Sequence, residues 1–148
     1  MRLKDKISII TGAASGFGKG IAKKFSEEGA KIILVDINKG LLEKVSKDLD
    51  QDFFHADVSS SISMQKLADY VLKKYGTIDV MVNNAGITHL PKPLEEVSEE
   101  EFDKVFEVNS KSVFLCGKFF IPHMKKQKKG AILNIASTAG ISPRPNLN

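Results

Sequence analysis

Short runs of β-branched residues alternate with amphipathic stretches along this chain, and that alternation constrains its fold more than any other feature. The strand-like runs are Lys6–Thr11, Lys31–Asp36, Asp52–His55, Ile78–Asn83 and Ala131–Ala136. Within the second, Ile32-Ile33-Leu34-Val35 is apolar with no polar alternation, the pattern of a parallel strand buried on both faces. Between these runs, three groups each trace one stripe of a helix: Ile21, Ala22 and Phe25; Leu41, Leu42, Val45 and Leu49; and Met64, Leu67, Ala68, Val71 and Leu72. A longer helical pattern runs from Ser98 to Gln127. It opens on a capping box, Ser98 with Glu101, and Pro122 is expected to kink or break its last turns. Strands alternating with helices imply right-handed βαβ crossovers and an open parallel sheet covered on both faces.

A doubly wound dinucleotide-binding sheet has six strands in the order 3-2-1-4-5-6. Only five strand patterns occur here, and Ser142–Asn148 reads as a loop. The expectation is therefore an α/β, Rossmann-type domain over residues 1–148, truncated after the fifth strand. No internal repeat, low-complexity segment or linker interrupts it.

Composition narrows the class. Of 148 residues, 42% are hydrophobic, which excludes a disordered chain, and the single cysteine, Cys116, excludes a disulfide scaffold. No apolar run approaches the ~18 residues of a membrane span. The start, Met1-Arg2-Leu3-Lys4-Asp5-Lys6, enters the first strand at once and leaves no room for a signal-peptide core. A cytoplasmic setting without membrane association is expected. Lys and Arg number 22 against 18 Asp and Glu, a net charge of +4. Much of the excess sits in Lys125-Lys126-Gln127-Lys128-Lys129, where cations suit a helix C-terminus, so this reads as a solvated helix end rather than a nucleic-acid patch.

Thr11-Gly12-Ala13-Ala14-Ser15-Gly16-Phe17-Gly18 follows the first strand and opens the first helix. Glycines serve there because the chain turns sharply and its backbone must approach a pyrophosphate, while the helix N-terminus offers amides to that charge. The spacing is Gly-x-x-x-Gly-x-Gly, unlike the commoner Gly-x-Gly-x-x-Gly. Asp36 ends the second strand, and a carboxylate there accepts ribose hydroxyls and repels a 2′-phosphate. With no Arg or Lys in the glycine turn or at 37–38, NAD is expected over NADP. The competing role for Asp36 is a cap on the next helix.

These motifs, with Asn83-Asn84-Ala85-Gly86 after strand four and Asn134-Ile135-Ala136-Ser137 after strand five, resemble the N-terminal part of a short-chain dehydrogenase/reductase. The resemblance covers the whole chain. It implies cofactor contacts from Gly12, Ser15, Gly16, Phe17 and Gly18, from Asp36 and Ile37, from Asp57 and Val58 at the adenine, and from Asn84, Ala85 and Gly86. It also implies Asn109 and Ser137 as catalytic residues. The chemistry implied is reversible hydride transfer between a nicotinamide and an alcohol or ketone carbon, in a protein that forms a dimer or tetramer. Ser137 would hold the substrate oxygen and Asn109 a water. The general look is similar to 3-oxoacyl-carrier-protein reductases and to sugar or polyol dehydrogenases. The former usually take NADP, against which Asp36 argues.

The family's Tyr-x-x-x-Lys pair is expected after Ser137 and is not found there. Tyr70-Val71-Leu72-Lys73-Lys74 spells it, but on a helix before strand four that cannot reach the strand ends where ligands bind. The chain alone is thus expected to be inactive, with strand five exposing an unpaired edge. The alternative reading is a non-catalytic dinucleotide-binding or subunit-association module. His55, His89 and His123 show no metal-ligand spacing. Cys116 reads as a small buried hydrophobe, and Phe114, Phe119, Phe120 and Met124 as core or subunit-interface residues. His89-Leu90-Pro91-Lys92-Pro93 reads as a surface loop or the beginning of a substrate cleft.

Overall fold

A computed structural model describes residues 1–138 and 141–142. Five strands, β1 (Ile7–Thr11), β2 (Lys31–Asp36), β3 (Asp52–His55), β4 (Val80–Asn83) and β5 (Ala131–Asn134), form one sheet. Every pairing is parallel and the order is β3-β2-β1-β4-β5. The chain builds outward from β1 through β2 to β3, then returns to the other side of β1 for β4 and β5. That reversal creates a crevice at the C-terminal ends of β1 and β4, the place where open α/β sheets bind ligands. Of the loop expected at Ser142–Asn148, residues 143–148 lie outside the described residues.

Side chains alternate between the faces, as the pleat requires. Ile9, Ile33, Val35 and Met81 meet α3 (Ser61–Tyr75) and α5 (Ser112–Lys126) through Met64, Leu67, Val71, Leu115 and Phe120. Ile10, Ile32, Leu34 and Val82 meet α1 (Gly16–Glu27) and α2 (Lys39–Leu49) through Ala22, Leu42 and Val45. Each fully buried Ile or Leu contributes about 1.5–3 kcal/mol. The run 32–35 is buried on both faces as its composition demands. Leu41, placed on the α2 stripe by its spacing, is instead half exposed.

The long helical pattern divides into three. Ser98 Oγ accepts the Glu101 N–H and Glu101 reaches back to the Ser98 N–H, so the capping box opens α4 (Glu99–Phe106). A π-turn at Glu107–Lys111 follows, then α5. Of the two outcomes expected of Pro122, a kink or a break, the break does not occur: α5 runs on to Lys126. Phe120 and Met124, on either side of Pro122, are buried, and packing of that face carries the helix past the proline. A 3-10 turn, Leu94–Glu96, precedes α4. Strand β5 is exposed along its length. No helix among the described residues is long and apolar enough to cross a membrane.

Candidate dinucleotide site

Two turns are stitched together at the crevice. Thr11 Oγ1 donates to Val82 O and accepts the N–H of both Asn84 and Ala85, the latter two at 3.0 Å. In return Asn84 Nδ2 donates to Thr11 O at 2.9 Å and to Gly12 O at 3.3 Å. The turn after β1 and the turn after β4 are therefore one hydrogen-bonded unit.

That closeness explains the glycines. Gly12 has φ +65°, and a Cβ there would lie 2.9 Å from Asn84 Nδ2. A Cβ on Gly18 would fall 2.0 Å from Gly12 O and 2.6 Å from Asn84 Nδ2, which no side chain accommodates. Gly16 differs: its neighbourhood is open, and its φ of +52° alone favours glycine. Ser15 is the N-cap of α1 but makes no side-chain cap bond, whereas Asn38, Ser60 and Ser98 each cap their helices. The first turn of α1 also carries no acidic residue. Its N-terminal amides thus keep capacity for an external anion.

Asp36 is half buried at the end of β2. Its Oδ2 accepts the Ala14 N–H at 3.0 Å and its Oδ1 the Asn38 N–H at 2.9 Å. Asn38, not Asp36, caps α2. After β3, Asp57 Oδ1 accepts both the N–H and the hydroxyl of Ser59. Burial acts to raise the Asp57 pKa, but the Ser59 bonds together with the fields of Lys104 and Lys111 outweigh it, so the carboxylate sits below its ordinary range.

These parts surround a cavity of about 380 Å³. The first turn contributes Gly12, Ser15, Gly16 and Phe17, β2 contributes Asp36 and Ile37, the segment after β3 contributes Asp57 and Val58, and the second turn contributes Asn84, Ala85 and Gly86. Phe17 stands 83% exposed at its edge. Gly18 lies beneath the first turn and packs it rather than lining the space. Three lining residues were not foreseen: Ala56, Ile87 and Val108. Each adjoins a motif residue in sequence, the one signal that could have found them.

Asn109 stands outside the lining and acts on it. Its Oδ1 accepts the Ile87 N–H and its Nδ2 donates to Ile87 O, both at 2.8 Å. A two-point clamp thus fixes the backbone that follows Gly86. Ser137 lies beyond β5, exposed, and is not among the lining residues.

The Tyr70–Lys74 pair is elsewhere. Asp52, the first residue of β3, accepts the hydroxyls of Tyr70 at 2.8 Å and Tyr75 at 2.6 Å, and the Lys74 ammonium. This cluster is at the N-terminal edge of the sheet, opposite the cavity. Burial and the Asp52 carboxylate push the Tyr70 pKa up, the wrong direction for a proton-transfer group. Cys116 is buried, and burial pushes its thiol up to about 12.

A family model described as short chain dehydrogenase matches residues 6–148. Zerumbone synthase of Zingiber zerumbet is 41% identical over 146 residues, which are 95% of this chain and 55% of that protein. A 3-ketoacyl-(acyl-carrier-protein) reductase from Brucella melitensis, solved in complex with NADH, superposes with a TM-score of 0.93 at 41% identity, covering 97% of this chain and 62% of that one. A metagenomic short-chain oxidoreductase in complex with NADP superposes with a TM-score of 0.93 at 32% identity, covering 99% and 69%. The chain spans little more than half the length of curated relatives such as these, 55% of zerumbone synthase and 61% of a 3-oxoacyl-(acyl-carrier-protein) reductase of Thermotoga maritima.

Proposed function

This chain belongs to the short-chain dehydrogenase family, and on that premise we propose that it is the dinucleotide-binding domain, residues 1–148, of an NAD(H)-dependent oxidoreductase that interconverts an alcohol and a ketone. The observation that carries the reading is the cavity at the strand reversal, lined by both the uncapped start of α1 and the Asp36 carboxylate.

The residues present fit such a cofactor. Backbone amides of Gly16 and Phe17 and the Ser15 hydroxyl would hold the pyrophosphate, with Gly18 packing the turn beneath them. Asp36 uses each carboxylate oxygen once in the protein, and a carboxylate has about four lone-pair sites, so acceptor capacity remains for ribose hydroxyls. The same charge disfavours a 2′-phosphate, which supports NAD over NADP. Ile37, Asp57 and Val58 would enclose the adenine, and Asn84, Ala85 and Gly86 the nicotinamide half. The cofactor, when bound, supplies hydride chemistry. The protein's share is alignment and proton traffic: Ser137 would hold the substrate oxygen and Asn109 would order the backbone beside the nicotinamide.

Neither tyrosine of the chain, Tyr70 or Tyr75, reaches the cavity, since both hydroxyls are bound to Asp52. By itself the 148-residue polypeptide is therefore read as binding dinucleotide without turning over. Phe102, Phe106 and Phe114 project from α4 and α5, more than half exposed, and we read that apolar face as a surface where copies of the chain associate.

NADH titration with calorimetric detection, paired with an absorbance assay over a panel of alcohols and ketones, tests the reading. Saturable binding without turnover supports it. Turnover that disappears in Ser137→Ala would contradict the inactivity, and no binding of either dinucleotide would remove the function.

A further inference from the structure

The π-turn between α4 and α5 carries two residues that shape the cavity. Val108 forms part of its wall, and Asn109 clamps Ile87 from behind. A π-turn adds one residue to a helical turn, so every later side chain is rotated by about 100° relative to an uninterrupted α-helix. Without that insertion the register that gives α5 its buried face would not also point Asn109 at Ile87. Such wide turns are rare, and something must hold this one.

Ser112 is placed to do so. Its backbone N–H reaches five residues back to Glu107 O, not four back to Val108 O. Its side-chain hydroxyl instead donates to Val108 O at 2.5 Å. Ser112 is 5% exposed and Val108 is 9% exposed, so little water is at hand to replace that donor. We propose that Ser112 is a positioning residue: its hydroxyl holds the π-turn in the register from which Asn109 clamps Ile87 against the cavity. The consequence for dinucleotide affinity rests on the function proposed above; the positioning itself does not.

Ser112→Thr and Ser112→Val, made in the full chain, differ by one hydroxyl at equal shape. A threonine hydroxyl in a helix reaches the same carbonyl four residues back. The readout is amide hydrogen exchange at Ile87, with Ile33 in β2 as the remote reference, together with the NADH dissociation constant. Leaving a buried carbonyl without its donor predicts exchange at Ile87 about tenfold faster in Ser112→Val than in Ser112→Thr, with Ile33 unchanged and NADH bound about tenfold more weakly. If Ser112→Val does not fold, Ser112→Ala against the wild type reads the same difference. Equal Ile87 exchange in the Thr and Val variants would overturn the proposal, whatever their melting temperatures. A wild type that binds no NADH, yet shows the same split at Ile87, would overturn the cofactor reading and sustain the positioning role.

Discussion

Asp36 Oδ2 accepts the backbone N–H of Ala14 at 3.0 Å, tying the end of β2 to the glycine turn. The carboxylate proposed to face the sugar is thus also a structural member of the turn proposed to receive the phosphates. Asp36→Ala removes both functions and leaves a part-buried N–H unpaired, at a cost of about 1–3 kcal/mol. Asp36→Ala combined with Ile37→Arg should raise the NADPH-to-NADH affinity ratio by about tenfold or more, while the melting temperature falls. Paired fluorescence titrations and thermal melts check this. An unchanged ratio would mean that Asp36 is not the discriminator.

The glycines of α1 should rank by geometry. Gly20→Ala meets open space in ordinary helical conformation and should stabilise the protein by up to about 1 kcal/mol. Gly16→Ala has room but a left-handed φ, and should lose about 1–2 kcal/mol. Gly18→Ala drives a methyl into Gly12 O and should cost at least about 3 kcal/mol and abolish NADH binding. Urea unfolding of the three variants gives the order, and any other order contradicts the geometry.

Much of this site was legible in the residues because each motif answers a steric or electrostatic demand that few residue types meet. Gly12 and Gly18 have no side-chain substitute, and Thr11 and Asn84 carry the donors and acceptors that join two turns. The strand pattern was equally direct: Ile32 to Val35 leaves no polar face, so the strand must be central. The π-turn was not legible. Apolar spacing from Ser98 to Gln127 reads as one helix, because a single inserted residue is encoded by the Ser112–Val108 and Asn109–Ile87 hydrogen bonds rather than by periodicity. Pro122 does not break α5 for the related reason that local propensity yields to the packing of Phe120 and Met124. The second role of Asp36 was hidden because a partner 22 residues away in sequence leaves no local mark.

Acid should unfold the protein partly through Asp79. Burial acts to raise its pKa, but the Ile7 N–H on Oδ2 and the ammonium groups of Lys129 and Lys6 near Oδ1 prevail and hold it below its ordinary value of 3.8. A carboxylate whose pKa is lower folded than unfolded contributes stability that is fully present above pH 3.8 and lost as pH falls through the folded value. Asp79→Asn should therefore lower stability at neutral pH and flatten its decline below pH 4. Chemical denaturation across pH 2–7 measures both; parallel curves for variant and wild type would exclude the role.

Tyr70→Phe should leave dinucleotide binding unchanged and destabilise by about 0.5–1.5 kcal/mol, the worth of one hydrogen bond to Asp52. Lys74→Met should behave likewise. A loss of cofactor affinity in either would place that pair at the ligand site, against its position on the opposite edge of the sheet.

Calorimetric titration of the protein with NADH, beside the same titration of Gly18→Ala, bears most directly on the claim that the crevice between the first and fourth strands was shaped for a nicotinamide dinucleotide. One saturable site, tighter for NADH than for NADPH and lost in the variant, is the predicted result. No heat with either dinucleotide, or equal heat from the wild type and Gly18→Ala, would contradict it.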